Sequence, residues 1–460
     1  MLEKVLVEDY AAEGKSIARV DGKVVFIERV VPGDVVDIRL NKSKKDWAEG
    51  YPVQFHSYSE ERTTPFCSHF GVCGGCQWQM LPYEKQLFYK RQQVIDNLTR
   101  IGKIDLPDVP PVAGAHDTKW YRNKLEYTFS AKRFIPDKEF DKEGNNADLN
   151  ASGFHARGFF DKVVEIETCW LQPEPSNLVR KTITDFARQN NYSFYDHKMH
   201  TGFLRTVLLR ICRTGEVMVN IVMAEDDQEK RSALINHLVK NVPGITTLLY
   251  TINTKWNDSL YDLQPIVVTG NGFVTEKLED FSFKIGPKSF FQTNTQQAEQ
   301  LYRITMDFAE LTGKEIVYDL YCGTGSIGIF VSKQAKKIIG VESISDAIED
   351  AKENAAINNT HHASFFAGDV IKVCDDTFFE EHGKPDVIIT DPPRAGMHEK
   401  LVKKILDIAA PLVVYVSCNP ATQARDLRLL DEKYKVTKVQ PVDMFPHTHH
   451  IENVAQLKLR

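Results

Sequence analysis

No apolar run in this 460-residue chain approaches the roughly 20 residues that a membrane-spanning helix needs. Nor does the opening Met1-Leu2-Glu3-Lys4-Val5 show the basic-then-apolar order of a secretory leader. The chain is therefore expected in the cytoplasm, as a monomer with no membrane partner. Positive charge is not in excess: 57 Lys and Arg stand against 63 Asp and Glu, a formal net charge of -6. Any nucleic-acid role must rest on local patches rather than on the global field. Internal repeats and low-complexity tracts are absent. Cysteine is sparse, 8 residues, with no small secreted framework around it, which favours metal ligation or catalysis over disulfides. What remains, 42% hydrophobic and 26% charged residues, is an ordinary globular composition long enough for two or three cores.

Residues 1–58 read as a small β-barrel. Ile17 to Val20 and Lys23 to Glu28 flank Asp21-Gly22, a pair suited to a type I′ hairpin turn. After the turn Val31-Pro32-Gly33-Asp34, apolar Val36, Ile38 and Leu40 alternate with Asp37 and Arg39, the period of a half-buried strand. The loop Asn41-Lys42-Ser43-Lys44-Lys45 lies near Trp47, a basic and aromatic rim that fits single-stranded nucleic acid as well as plain solvation. The segment resembles a TRAM domain, an OB-like RNA-binding module.

Residues 59–265 read as a central α+β domain. Cys67, Cys73 and Cys76 cluster around Gly71, Gly74 and Gly75, and three thiols need a fourth ligand. Cys169 is the best candidate, because Cys212 follows the apolar strand Val207 to Ile211. Four thiolates suit either a [4Fe–4S] cluster or tetrahedral zinc, and the spacing leaves both open. From Tyr83 to Arg100 the apolar residues have helical spacing, with Lys90 and Arg91 expected on the wet side. Lys119, Arg122, Lys124, Lys132 and Arg133 interleave with Trp120, Tyr121, Tyr127 and Phe129, a pattern that tracks phosphates and stacks bases. Pro136 to Ala151 reads as a solvated extension.

Residues 266–460 carry the pattern of a Rossmann-like domain. A strand ending in Asp319 runs through Tyr321-Cys322-Gly323-Thr324-Gly325 into a helix, and this unit resembles the first motif of S-adenosylmethionine-dependent methyltransferases. The next strand ends in Glu342, placed for ribose hydroxyls, and a third ends near Asp369, placed for adenine. A fourth ends in Asp391-Pro392-Pro393-Arg394, where two prolines fix the backbone and hold the Asp391 carboxylate in one place. The run Val413 to Val416 then delivers Cys418 to the same edge, with Asn419-Pro420 stopping the strand.

A thiol there has a specific use. Uracil is too weak a nucleophile at C5 to take a methyl group until a nucleophile has added at C6, and a base must afterwards remove the C5 proton. Glu452 is the expected base. His447, His449 and His450 before it make a poor metal site, since they lack a carboxylate at helical spacing.

These motifs, with Ser289-Phe290-Phe291-Gln292-Thr293-Asn294 and His449-His450-Ile451-Glu452, resemble the RNA uridine-5-methyltransferase family over essentially the whole chain. The resemblance implies Cys418 as nucleophile, Glu452 as proton acceptor, and Gln292, Tyr321, Glu342 and Asp391 as S-adenosylmethionine contacts beside the Gly323 turn. It implies a [4Fe–4S] cluster on Cys67, Cys73, Cys76 and Cys169. Its nearer branch acts on 23S ribosomal RNA, with tRNA as the alternative substrate. Two rivals remain: an amino methylase, which needs no thiol, and an RNA-binding protein with a degenerate methyltransferase domain.

Overall fold

Asp21 and Gly22 both adopt positive φ, 51° and 76°, and the hairpin they close pairs Val20 with Lys23, as their turn chemistry requires. This hairpin belongs to the expected barrel, seen in a computed structural model that describes residues 1–136 and 148–460. Its six strands run in the order Leu2–Leu6, Val35–Ser43, Trp47–Ser57, Lys23–Ile27, Ser16–Val20, Asp9–Tyr10. The first and last are consecutive in sequence, so one stretch of chain pairs with both edges and closes the sheet on itself. Val25, Ile27, Val36, Ile38 and Ala48 fill the interior, while Arg39 faces solvent. The Lys42 ammonium lies 4.8 Å over the Trp47 ring. The extension expected between Pro136 and Ala151 lies, over residues 137–147, outside the described residues.

The middle of the chain forms a mixed sheet of seven strands. Their order is Ile266–Thr269, Thr247–Ile252, Val217–Met223, Leu204–Ile211, Lys124–Ser130, Ala151–His155, Val163–Glu165. Helices Ser176–Gln189 and Gln228–Asn241 pack into its core with Val179, Ile183 and Ala187 of one and Leu234, Ile235 and Leu238 of the other. The i, i+4 spacing of these positions gives each helix one apolar stripe.

A second seven-stranded sheet carries the chemistry. Its order is Ala363–Ala367, Lys337–Glu342, Ile316–Leu320, Val387–Thr390, Leu412–Ser417, Glu452–Leu459, Tyr434–Val442. The first five strands are parallel, and Glu452–Leu459 runs antiparallel to both its neighbours. Helices cover both faces, so the strands read as unbroken apolar runs rather than alternating ones. Strand order reverses between Ile316–Leu320 and Val387–Thr390, and a crevice opens outside their carboxyl ends.

Helix Tyr83–Arg100 and the loop of residues 443–451 fasten the three units together. Val94 and Leu98 enter the core beneath the second sheet. The His447 carbonyl accepts from the backbone N–H groups of Gln77 and Trp78 at 2.9 and 3.0 Å, and its own N–H donates to Gln86 Oε1 at 2.9 Å. Lys90, expected on the wet side of this helix, is instead fully buried, its ammonium 2.7 Å from Asp443. It also donates to the Phe445 carbonyl at 3.2 Å. Burial pulls the Lys90 pKa down and Asp443 opposes that shift. Removing one partner of such a pair leaves an uncompensated buried charge, so Lys90→Met is expected to cost about 3–5 kcal/mol. The midpoint of urea unfolding checks this; a change below about 1 kcal/mol would mean that the pair does not hold the loop. Among the described residues no helix is long and apolar enough to cross a membrane.

Candidate active site

Cys418 stands at the end of Leu412–Ser417, a strand buried along its full length. Directly after it, Asn419 caps helix Pro420–Leu430, its side-chain oxygen accepting from the Ala421 N–H at 3.1 Å. Strand and cap together fix the backbone on both sides of the thiol, which is half-buried. Ser417 lies opposite Asn453 in the antiparallel pairing, and one further step of that register sets Cys418 beside Glu452. The buried Gln423 amide locks this register by donating to the carbonyls of Tyr415 and Asn453 at 3.0 and 3.1 Å.

Asp391 completes a group of three. Its N–H meets the Leu320 carbonyl at 3.4 Å, and the Arg394 carbonyl accepts from the side chains of Asn419 and Thr422 at 3.2 Å each. The Asp391 turn is thus tied to the Cys418 turn. Burial pushes the Cys418 thiol up to about 12, with Glu452 and then Asp391 adding to the rise and Arg394 opposing it. Glu452 is raised well above the ordinary carboxylate range, by burial first and Asp391 second. Asp391 is pushed up to about 7 by the protein packed around its carboxyl. Burial holds His449 down at about 3 and His450 at about 4, so both imidazoles are neutral near pH 7. The cation that acts on the thiol is Arg394.

A second set of residues lines the crevice at the next strand ends. Tyr321 and Gly323 adopt φ of 62° and 52°, and a Cβ at Gly323 would meet no atom within 4 Å, so the turn faces open space. Glu342 accepts from the Gly323 N–H at 3.3 Å and from the Ile344 N–H at 3.0 Å. Tyr321 is half-buried and feels both Asp369 and Glu342. Asp369 is exposed and caps the following turn, accepting from the Ile371 N–H at 3.0 Å. Gln292 sits in a loop held by Asn123, whose side chain donates to the Gln292 carbonyl at 2.9 Å and whose N–H donates to the Thr293 carbonyl at 2.7 Å. The glycine turn and neighbouring carboxylate fit a nucleoside with an amino-acid tail.

Cys67, Cys73, Cys76 and Cys169 are all free thiols and are mutual neighbours: Cys73 feels the other three, after burial, in the upward shift of its pKa to about 12. The Gly75 N–H lies 3.4 Å from the Cys73 sulfur. Among the described residues, however, no group of three or more His, Cys, Asp or Glu side chains is placed to hold a metal ion. The expected [4Fe–4S] or zinc centre is therefore not shown by this geometry. Cys212 is separate, buried near Glu276 and Arg210.

Several contributors had no sequence signal. A cavity of about 340 Å³ opens on Cys418, and Gln93 and Asn97 of helix Tyr83–Arg100 line it together with Glu13 of the barrel. Asp319, which the sequence does mark as a strand end, is fully buried; one carboxylate oxygen accepts from the Gly328 N–H at 2.9 Å and the other has no partner among the described residues. Burial pushes its pKa up to about 7.

Comparison with known proteins bears on this arrangement directly. Residues 264–460 match the tRNA (Uracil-5-)-methyltransferase family and residues 3–53 the TRAM domain. An uncharacterized RNA methyltransferase of Bacteroides thetaiotaomicron is 52% identical, covering 98% of this chain and 100% of that protein. One from Chlorobaculum tepidum is 39% identical over 98% of this chain and 95% of its own length. The crystal structure of Pyrococcus abyssi tRNA (uracil-54, C5)-methyltransferase in complex with S-adenosyl-L-homocysteine superimposes with a TM-score of 0.76. It shares 28% identity over 99% of this chain and 100% of that one. Likeness along the full length, on a fold whose strand ends gather a thiol, two carboxylates and a glycine turn, means that this chain belongs to the RNA uracil-5-methyltransferase family.

Proposed function

We propose that the chain methylates C5 of a specific uridine in RNA through a covalent bond between Cys418 and C6 of the ring. The observation that carries this reading is the strand register that sets Glu452 beside Cys418, with Asp391 acting on both. S-adenosylmethionine, when bound, supplies an electrophilic methyl group. Gln292, Tyr321, Gly323, Glu342, Asp369 and Asp391 are the residues that would hold it. The Cys418 thiolate adds to C6, which gives C5 the electron density it lacks in free uracil. Glu452, whose burial raises its proton affinity, takes the C5 proton, and the sulfur leaves as the ring double bond returns. Exposing the ring from a stem or loop costs a few kcal/mol, supplied by RNA contacts elsewhere.

The substrate we favour is 23S ribosomal RNA. A tRNA uridine is the second reading, supported by the whole-chain likeness to the Pyrococcus abyssi tRNA enzyme. Mass spectrometry of nucleosides from separated ribosomal and transfer RNA, from cells with and without the gene, tests both. Loss of 5-methyluridine from ribosomal RNA supports the first and loss from tRNA the second; loss from neither overturns the proposal.

Cys67, Cys73, Cys76 and Cys169 form an all-thiol donor set, and we propose that they hold a [4Fe–4S] cluster with a structural role, zinc being the alternative. Anaerobically purified protein is expected to contain about four irons and four sulfides per chain. Stoichiometric zinc without sulfide would sink the cluster and leave the methylation chemistry untouched.

A further inference from the structure

The barrel does more than stand beside the catalytic sheet: its turn Ala12–Gly14 reaches the cavity that opens on Cys418. Glu13 lines that cavity together with Arg394, Asn97 and His449. Three contacts hold the turn there. A Cβ on Gly14 would fall 2.7 Å from His449 Cβ, so only glycine allows so close an approach. The Gly14 carbonyl faces the Trp78 indole N–H at 3.4 Å. Tyr10, at the foot of the turn, packs between the rings of Trp78 and Tyr89 with centroids 4.9 and 4.8 Å away. Glu13 itself is held at φ 63° and ψ 17°, a left-handed conformation uncommon for a residue with a long side chain. Its carboxylate is exposed and forms no ion pair among the described residues, whereas Lys15 two residues on pairs with Glu49 at 2.9 Å.

A free carboxylate at the mouth of a cavity that must admit RNA has restricted uses. It repels phosphates, so it does not serve as a backbone contact. It accepts from N–H donors on base edges, and a carboxylate takes two at once from the N1–H and N2 amino groups of guanine. In unpaired RNA these edges are free to be read.

We propose that Glu13 is a specificity-determining residue through which the barrel selects a guanine flanking the target uridine. The inference rests on the uridine-methylating reading of Cys418. The test is the kcat/KM of methyl transfer to short RNA hairpins that differ only in the nucleotide before or after one uridine, for the wild-type protein and for Glu13→Ala and Glu13→Gln. The wild-type protein is expected to favour a guanine neighbour at one of the two positions by about tenfold or more over adenine, cytosine and uridine. In Glu13→Ala that ratio is expected to fall to about one, with Glu13→Gln between the two. A merely structural role would lower every substrate equally and keep the ratio, and that result overturns the inference while leaving the chemistry standing. Absence of a guanine preference in the wild-type protein overturns it too. Failure of the wild-type protein to methylate any RNA uridine would instead remove the reading on which it rests.

Discussion

Cys418→Ala is expected to lower methyl transfer to RNA by at least about 10⁴-fold while leaving cofactor binding in place. Loss of a covalent nucleophile is rarely made good by its neighbours, and here no neighbour is suited to replace it. Cys322 lies on the glycine turn, but it is only 6% exposed and burial drives its thiol pKa well up. The carboxyls of Asp391 and Glu452 are poor nucleophiles toward a pyrimidine ring. Tritiated-methyl incorporation measures the activity, and equilibrium binding of S-adenosylhomocysteine measures the cofactor site. Activity within about tenfold of wild type would favour the amino-methylase rival, which needs no thiol. Burial pushes the Cys418 thiol up to about 12, so the free enzyme holds it protonated at pH 7. Alkylation of the free enzyme by iodoacetamide is therefore expected to be slow and to rise about tenfold per pH unit through the alkaline range, slowing further when Arg394 is replaced by Ala.

Much of this site was legible in the sequence because its residues lie at strand ends. Apolar runs such as Val413–Val416 mark buried strands whatever surrounds them, and the polar residue that stops each run marks the crevice. The barrel was legible for a similar reason, since Asp21-Gly22 specifies its own turn. What could not be read were relations set by pairing across the fold. Nothing local places Glu452 beside Cys418; that follows from a last strand inserted antiparallel between Leu412–Ser417 and Tyr434–Val442. Lys90 looked solvent-facing because helical periodicity records which face is apolar, not which polar face a later loop will cover with Asp443. Glu13, in an unremarkable polar stretch, enters the cavity only because the closed barrel docks against His449.

Glu452→Gln should separate the two halves of the reaction. Adduct formation needs Cys418 and the ring, and both survive the substitution, whereas removal of the C5 proton needs a base that an amide cannot supply. Turnover is expected to fall by about 10²–10⁴-fold, with a methylated protein–RNA adduct accumulating as a slow band on denaturing gels. The pH profile should report the same residue in the wild-type protein. A base works only when ionised, and burial with the Asp391 charge beside it raises the Glu452 pKa. Raising that pKa moves the acid limb to higher pH, so kcat is expected to decline on acidification while an exposed glutamate would still be ionised. Asp391→Asn removes the charge that disfavours ionisation of Glu452, and the limb should shift to lower pH. A variant that neither accumulates adduct nor loses turnover would move the base elsewhere, and the buried Asp391, whose proton affinity is likewise raised, would be the next residue to test.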